Sequence, residues 1–505
     1  MRLPIPGLSQ DMRIILRDLG LLVPMVGAMA LLSLVVPVLS GETYALMPLL
    51  ITAAVSVALG ACLYFPFRRA GEAKLKHGMI IASVGWLLVA ALGSLPFILI
   101  ALFAERNGLG SPTLMHFKDP ASAFFESVSG YTGTGLTMAS LASTLPTTLQ
   151  WWRSFIEWIG GMGVIVLMLA ILAGPRPGAA THSLYYAEAR GEKIQPSVLS
   201  TLRTMWWIFL LYTFIGVVAL WGAGMPIWEA LNHAMTGIST GGFSVLDQSI
   251  ASYDSALIEV VLIPIMLFGA ISFAVHYELM RGNGRTLWRD FQTRWLLLIL
   301  GVGILLLVLE NGLALPPLRA IRDSVFQFVS AMTCTGFQSV NIASWSHTAK
   351  LLLAAGMVIG GAAGSTAGGI KVMRMLILLK GVGWRFRRIV SPRGAIVPFR
   401  IGVTAVDESE VGQRLEDAAL ITFLWLIFLG LGIVVLLHSI PEGYSLSDVI
   451  FEVASAQGNV GLSVGITGPE MPTASKLALC FNMWIGRLEI IPVLMLVRAL
   501  FSGIQ

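Results

Sequence analysis

The chain has 505 residues, of which 56% are hydrophobic and only 12% are Asp, Glu, Lys or Arg, about half the charged fraction of a soluble globular protein. A mean hydropathy of +0.80 together with 53 glycines excludes both a soluble fold and a simple leucine-rich anchor, because glycine in a membrane serves close helix approach or irregular backbone. The three cysteines, Cys62, Cys334 and Cys480, exclude a disulfide scaffold, and the positions of the cations behind the net charge of +5 read as membrane topology, not as a nucleic-acid surface.

Apolar runs of about 20 residues, long enough to cross a bilayer, begin near Leu21, Met47, Met79, Trp151, Met205, Ile258, Trp295, Lys350, Leu420 and Ala474, giving ten candidate spans. The first, Leu21 to Ser40, is too long for a cleavable signal and lacks a small-residue cleavage pattern, so it is expected to be retained. With loops assigned alternately, 25 of the 33 Lys and Arg residues fall on one side, nine of them between Lys371 and Arg414. The positive-inside rule then puts both termini in the cytoplasm. Seven cations fall on the other side: Arg106, Lys118, Arg153, Arg319, Arg322, Lys350 and Lys476. No loop is long enough for a separate soluble domain.

Between alternate spans lie four apolar stretches of about a dozen residues, too short to cross and expected to be re-entrant. Aligned on one glycine each (Gly135, Gly242, Gly336 and Gly461) they match without gaps. Six residues earlier stand Ser129, Thr236, Ser330 and Ser455; one residue later stand Leu136, Phe243, Phe337 and Leu462. Self-similarity at separations of 107, 94 and 125 residues predicts a repeated unit of span, short helix, glycine loop and span. The bilayer core tolerates such irregular backbone only inside protein or beside a wet cavity. Four loops around one axis would offer carbonyl oxygens in place of a cation's hydration shell. The expected ligands are the two peptide units before each anchor: Gly133 and Thr134, Thr240 and Gly241, Cys334 and Thr335, Asn459 and Val460. A lone T-G-T-G would be an ordinary turn or packing motif; four aligned copies are not. Nine residues before each anchor stand Glu126, His233, Gln327 and Glu452, either ion-path groups or helix-bracing hydrogen-bond partners.

The span from Lys350 contains ten consecutive small residues, Gly360 to Gly369, including Gly361, Gly364, Ser365, Thr366 and Gly368. Such a run is expected to break the helix into a mobile, pore-facing gate loop. A phosphate-binding loop is excluded because Ile370 intervenes between Gly369 and Lys371; close helix packing is the remaining alternative. In the last span Arg487 lies among apolar residues, two positions from Glu489. Residues two apart diverge on a helix, so Arg487 is not expected to pair with Glu489; it either bonds another carboxylate or backbone carbonyls for assembly or, as the favoured reading, projects into the pathway below the filter as a barrier to cations.

Trp158-Ile159-Gly160-Gly161-Met162-Gly163, Ser239-Thr240-Gly241-Gly242-Phe243-Ser244, Thr333-Cys334-Thr335-Gly336-Phe337, Gly364-Ser365-Thr366-Ala367-Gly368-Gly369-Ile370-Lys371 and Gly486-Arg487-Leu488-Glu489 resemble the motifs of the Trk, Ktr and HKT superfamily of potassium transporters, in its bacterial Trk-type (TrkH-like) branch. The resemblance covers essentially the whole chain. It implies an all-α polytopic membrane protein of about ten spans. Residues 1–76 would form a two-span N-terminal extension, and 77–175, 176–282, 283–400 and 401–505 four pore repeats, the third with the broken gate helix. It also implies a potassium filter, a gate shared by the third-repeat loop and Arg487, a homodimer in the bacterial inner membrane, and a cytosolic ring of nucleotide-binding regulatory subunits contacting the basic loops Arg281 to Arg294 and Lys380 to Arg400. Potassium is the substrate, with no covalently bound cofactor. Two other functions compete. An ion-coupled symporter with alternating access would use His233 or Glu126 for a coupling proton, but the units repeat in one direction rather than inverted. An intramembrane enzyme would need paired catalytic groups, and H-E-x-x-H is absent.

Overall fold

The computed structural model describes residues 8–163, 198–392, 397–402, 404–406 and 408–503. The boundary expected at 175/176, the cations from Arg176 to Lys193 and Arg2 lie outside the described residues. Among the described residues, six helical segments are long and apolar enough to cross a membrane, or seven if the bent pair Ala256–Ala270 and Phe273–Met280 counts as one. The fold is mostly helical, and its apolar surface faces outward: Trp207, Phe214 and Trp221 on one helix and Phe423 and Leu431 on another are exposed, whereas Glu126, Glu157 and Glu452 are fully buried. That inversion is what a lipid surround requires.

The first helix begins at Gln10, not near Leu21, because Ser9 caps it by accepting from the Met12 N–H at 3.2 Å. Arg17 is therefore helical, and it donates to the Ala70 and Gly71 carbonyls at 2.7 and 2.9 Å. Asp11 holds Lys76 at 3.0 Å and His77 at 2.8 Å. These contacts fasten the N-terminal spans to the start of helix Leu75–Gly93.

Four short helices, Pro120–Thr132, Ile227–Ile238, Pro317–Met332 and Leu446–Gln457, each lead into a non-helical loop and then a further helix, Thr147–Met162, Ala256–Ala270, His347–Ile359 and Thr473–Arg487. The helices after the second and third loops are not simple rods. Helix Ala256–Ala270 turns by 109° into Phe273–Met280, where Ser272 caps a new start by accepting from Ala274 N–H. Helix His347–Ile359 ends at Gly360, and helix Val372–Val390 resumes after the small-residue run. The basic loop beyond adds a feature the sequence did not suggest, a hairpin pairing Phe399–Ile401 with Thr404–Val406. Its Phe399 packs with Trp384 and Val411 in a small core of their own.

Candidate functional site

The four loops share one backbone geometry. The residue two before each anchor lies in the left-handed region: Gly133 at φ 66°, Thr240 at 54°, Cys334 at 57° and Asn459 at 53°. Only the first is a glycine, so three copies carry a strain of roughly 1–3 kcal/mol each. A hydrogen bond of fixed register holds each one. Thr134, Gly241, Thr335 and Val460 donate their N–H to the carbonyls of Ser129, Thr236, Ser330 and Ser455 at 2.8–2.9 Å. The repeated Ser or Thr six residues before the anchor is thus the main-chain acceptor that closes each short helix.

The loops also close on each other. A Cβ built on Gly135 would lie 2.0 Å from the Gly241 carbonyl oxygen, one on Gly242 2.0 Å from that of Thr335, one on Gly336 1.9 Å from that of Val460, and one on Gly461 2.2 Å from that of Thr134. Each anchor therefore abuts the preceding-residue carbonyl of the next copy, in the cyclic order one, two, three, four, one. No side chain fits there. All four anchors line one cleft of about 110 Å³, whose rim includes Asp247 and Gln338. Asn459 Nδ2 donates to Thr134 Oγ1 at 3.0 Å across the join between the fourth and first copies.

Each short helix braces the strand that leaves its own loop. Glu126 accepts from Thr137 Oγ1 at 2.8 Å and Met138 N–H at 2.7 Å; His233 Nε2 meets Ser244 Oγ at 2.9 Å; Gln327 donates to Ser339 Oγ at 3.1 Å; Glu452 accepts from Ser463 Oγ at 2.7 Å and Val464 N–H at 3.0 Å. All four are fully buried. Of the two sequence readings for this position, bracing is what the geometry carries out.

A second ring was not foreseen. The fourth residue of each following helix reaches the next copy's short helix. Gln150 Oε1 accepts from Trp228 Nε1 at 2.9 Å, and Glu259 pairs with Arg322 at 2.8 Å. Lys350 pairs with Asp448 at 2.7 Å, and Lys476 with Asp119 at 3.2 Å. Lys350, Lys476 and Arg153, counted as loop charges from the sequence, are buried; Arg153 pairs with Glu126 at 2.7 Å. The usable signal was the register of the following helices, each with a glycine at the same distance after its first residue: Gly160, Gly269, Gly486 and, just past its helix end, Gly360.

The small-residue run is non-helical, as expected, yet it is extensively hydrogen-bonded. Ala362 N–H donates to Ala270 O at 2.9 Å, Thr366 N–H to Gly269 O at 3.1 Å, and Phe273 N–H to Gly364 O at 3.0 Å. Ser365 Oγ donates to Ala362 O at 2.6 Å. Thr366 Oγ1 lies 3.1 Å from Thr240 Oγ1, in contact with the second loop. Gly368 packs on the fourth unit: a Cβ there would meet Gly458 O at 2.0 Å, and one on Gly360 would meet Gly368 O at 2.2 Å. Gly361 and Gly369 lie buried within the same knot. The bend in the second unit's helix is where this loop docks. Arg487 donates to the carbonyls of Thr366, Gly160 and Gly161, while Glu489 pairs with Arg374 instead.

A polytopic helical membrane protein with four glycine loops of matching geometry around one cleft belongs to the class of membrane transport proteins, not enzymes. The chain is a member of the TrkH family, described as a cation transport protein, which it matches over residues 46–503. It is 35% identical to an uncharacterized cation transporter of Methanocaldococcus jannaschii, covering 85% of this chain and 83% of that one. It is 33% identical to the Trk system potassium uptake protein TrkH of Salmonella typhimurium, covering 88% and 90%. The crystal structure of the potassium transporter TrkH from Vibrio parahaemolyticus superposes with a TM-score of 0.82 at 28% identity, covering 97% of this chain and 99% of that one.

Proposed function

We propose that this chain is the membrane subunit of a potassium uptake system, passing potassium through the ring of four loops. The cyclic closure of Gly135, Gly242, Gly336 and Gly461 on the next copy's carbonyl carries the reading, since it fixes four equivalent main-chain segments around one cleft. Main-chain oxygens of Gly133 and Thr134, Thr240 and Gly241, Cys334 and Thr335, Asn459 and Val460 replace the ion's water. The carboxyl ends of the short helices add favourable negative potential. On this reading residues 1–76 are an N-terminal extension and 77–175, 176–282, 283–400 and 401–505 the four units. Gly360 to Gly369 with Arg487 form the gate, both termini are cytoplasmic, and the setting is a bacterial inner membrane. Partners are a second copy of this chain, surrounding lipid, and a cytosolic nucleotide-binding regulatory ring.

The membrane potential supplies about 2.3 kcal/mol per charge per 100 mV, enough to drive uptake without a coupling ion. Coupled symport is not favoured: His233 and Glu126, the residues that would carry the proton, are engaged in bracing. Purified protein in proteoliposomes under imposed gradients tests this. The current should reverse at the potassium equilibrium potential at every pH and sodium concentration; a reversal that tracks either ion, or no potassium-selective current, ends the reading.

A further inference from the structure

The eleventh residues of the four following helices are Glu157, Met266, Met357 and Met483, and all four side chains are fully buried. Three of these positions are filled by methionine, a flexible apolar side chain of similar length. Packing alone therefore does not call for a carboxyl at the first. Burying a carboxyl costs stability unless its hydrogen bonds achieve something.

Glu157 Oε2 accepts from the Phe243 N–H at 2.9 Å, while Oε1 has no hydrogen-bond partner. The side chain lies directly behind the second loop: a Cβ on Gly241 would be 2.2 Å from the Glu157 carboxyl carbon. One turn earlier on the same helix, Arg153 Nη1 donates to the Ser244 carbonyl at 2.8 Å. Its guanidinium sits 4.3 Å from the Phe243 ring centre. The strand leaving the second loop is thus gripped from behind by the first unit, at Phe243 through Glu157 and at Ser244 through Arg153. The grip on Phe243 begins one residue after the anchor Gly242, so it sets where the Thr240 and Gly241 peptides stand.

We propose that Glu157 is a specificity-determining positioning residue, whose hydrogen bond to the Phe243 main chain keeps the second loop from contracting around a cation smaller than potassium. A ring that cannot contract leaves sodium with long, poor contacts, whereas a slack one lets the carbonyls follow the smaller ion inward. The inference rests on the loops being the filter, and its test separates the two. Reversal potentials in mixed potassium and sodium, with potassium half-saturation and maximal flux, are measured for the parent protein, Glu157→Met, Glu157→Asp and Glu157→Gln. Methionine matches the other three units and preserves packing but lacks the acceptor. Aspartate keeps a carboxyl but falls short by one bond of about 1.5 Å. Glutamine keeps both acceptor and reach.

Methionine and aspartate should each lower the potassium-to-sodium permeability ratio about tenfold, the scale expected when one buried donor is left unsatisfied. Potassium half-saturation should rise and maximal flux stay within a factor of about two. Glutamine should restore most of the discrimination, which a loss of fold stability would not explain. If methionine fails to fold, aspartate carries the same comparison. A methionine or aspartate variant as selective as the parent, or a glutamine variant as unselective as methionine, overturns the assignment. A parent protein without potassium selectivity would instead overturn the filter reading itself.

Discussion

Arg487 Nη1 donates to the main-chain carbonyl of Thr366 at 3.1 Å, tying the fourth unit's helix to the small-residue loop of the third. The same guanidinium reaches Gly160 and Gly161 of the first unit, and Thr366 itself is bonded to Gly269 of the second. One arginine and one loop therefore join all four units. A charge this deep is costly in a membrane unless paired or bonded to carbonyls, and here the carbonyls come from the last turn of helix Thr147–Met162 and from the non-helical small-residue run.

Arg487→Gln should raise basal potassium flux about tenfold, because charged hydrogen bonds of roughly 1.5–3 kcal/mol each are exchanged for weaker ones and the loop loses its tether. Tracer uptake into proteoliposomes without regulatory subunits reads this. Unchanged or lower flux from folded protein would mean that the arginine is purely structural.

Gly336→Ser places a Cβ about where Val460 O now lies, 1.9 Å away, so the fourth loop must move. Potassium-over-sodium selection should collapse to near unity while the protein still inserts and purifies. Retained selectivity would show that the loops do not form the sieve.

The Lys350–Asp448 pair is largely buried, with side-chain exposures of 6% and 14%. Lys350→Met should destabilise the fold by about 3–5 kcal/mol, the usual result of stranding one buried partner. The double variant Lys350→Met/Asp448→Leu should recover much of that in a thermal melt. Additive losses would count against a coupled pair.

Asp119 caps the first short helix, accepting from the Ala121 and Ser122 N–H groups. Burial pushes its carboxyl up, but bonds from Ser122, the Ala121 N–H and Lys476 outweigh this and hold it below the ordinary 3.8. A lowered folded value means that ionised Asp119 stabilises the fold throughout the range above pH 3.8, and that this contribution fades as pH drops through the lower folded value. The melting-temperature gap between parent and Asp119→Asn should be constant from pH 8 to about 5 and shrink below about 4. A gap independent of acid would refute the linkage.

Asp247 is exposed at the rim of the cleft, where its carboxylate accepts from Ser143 N–H and Oγ at 2.9 Å. Asp247→Asn should reduce conductance several-fold at 10 mM salt and little at 1 M, where the screening length is about 3 Å. A salt-independent loss would point to local structure, not to the field at the mouth.

The four matching loops were legible because they recur: Gly135, Gly242, Gly336 and Gly461 stand out only when the four stretches are read together. The break at Gly360 was legible because ten small residues cannot sustain a packed helix. Arg153, Lys350 and Lys476 were misread as loop charges because hydropathy averages over a window and cannot see a single cation turned inward to a partner some 30 to 350 residues away in the chain. The early start of the first helix escaped for a similar reason, since its signal is the Ser9 cap and not its hydropathy.

Composition, spacing and repetition, then, determined a polytopic helical protein with four matching loops and one interrupted helix, because those properties are set by local backbone preference and by the bilayer's exclusion of unpaired peptide groups. Only the tertiary structure decided which carbonyl each anchor glycine meets, which copy each lysine and glutamate grips, and that the interrupted helix is bonded in place. These are contacts between residues distant in sequence, fixed by how the helices pack, and a single chain of letters carries no distances between them.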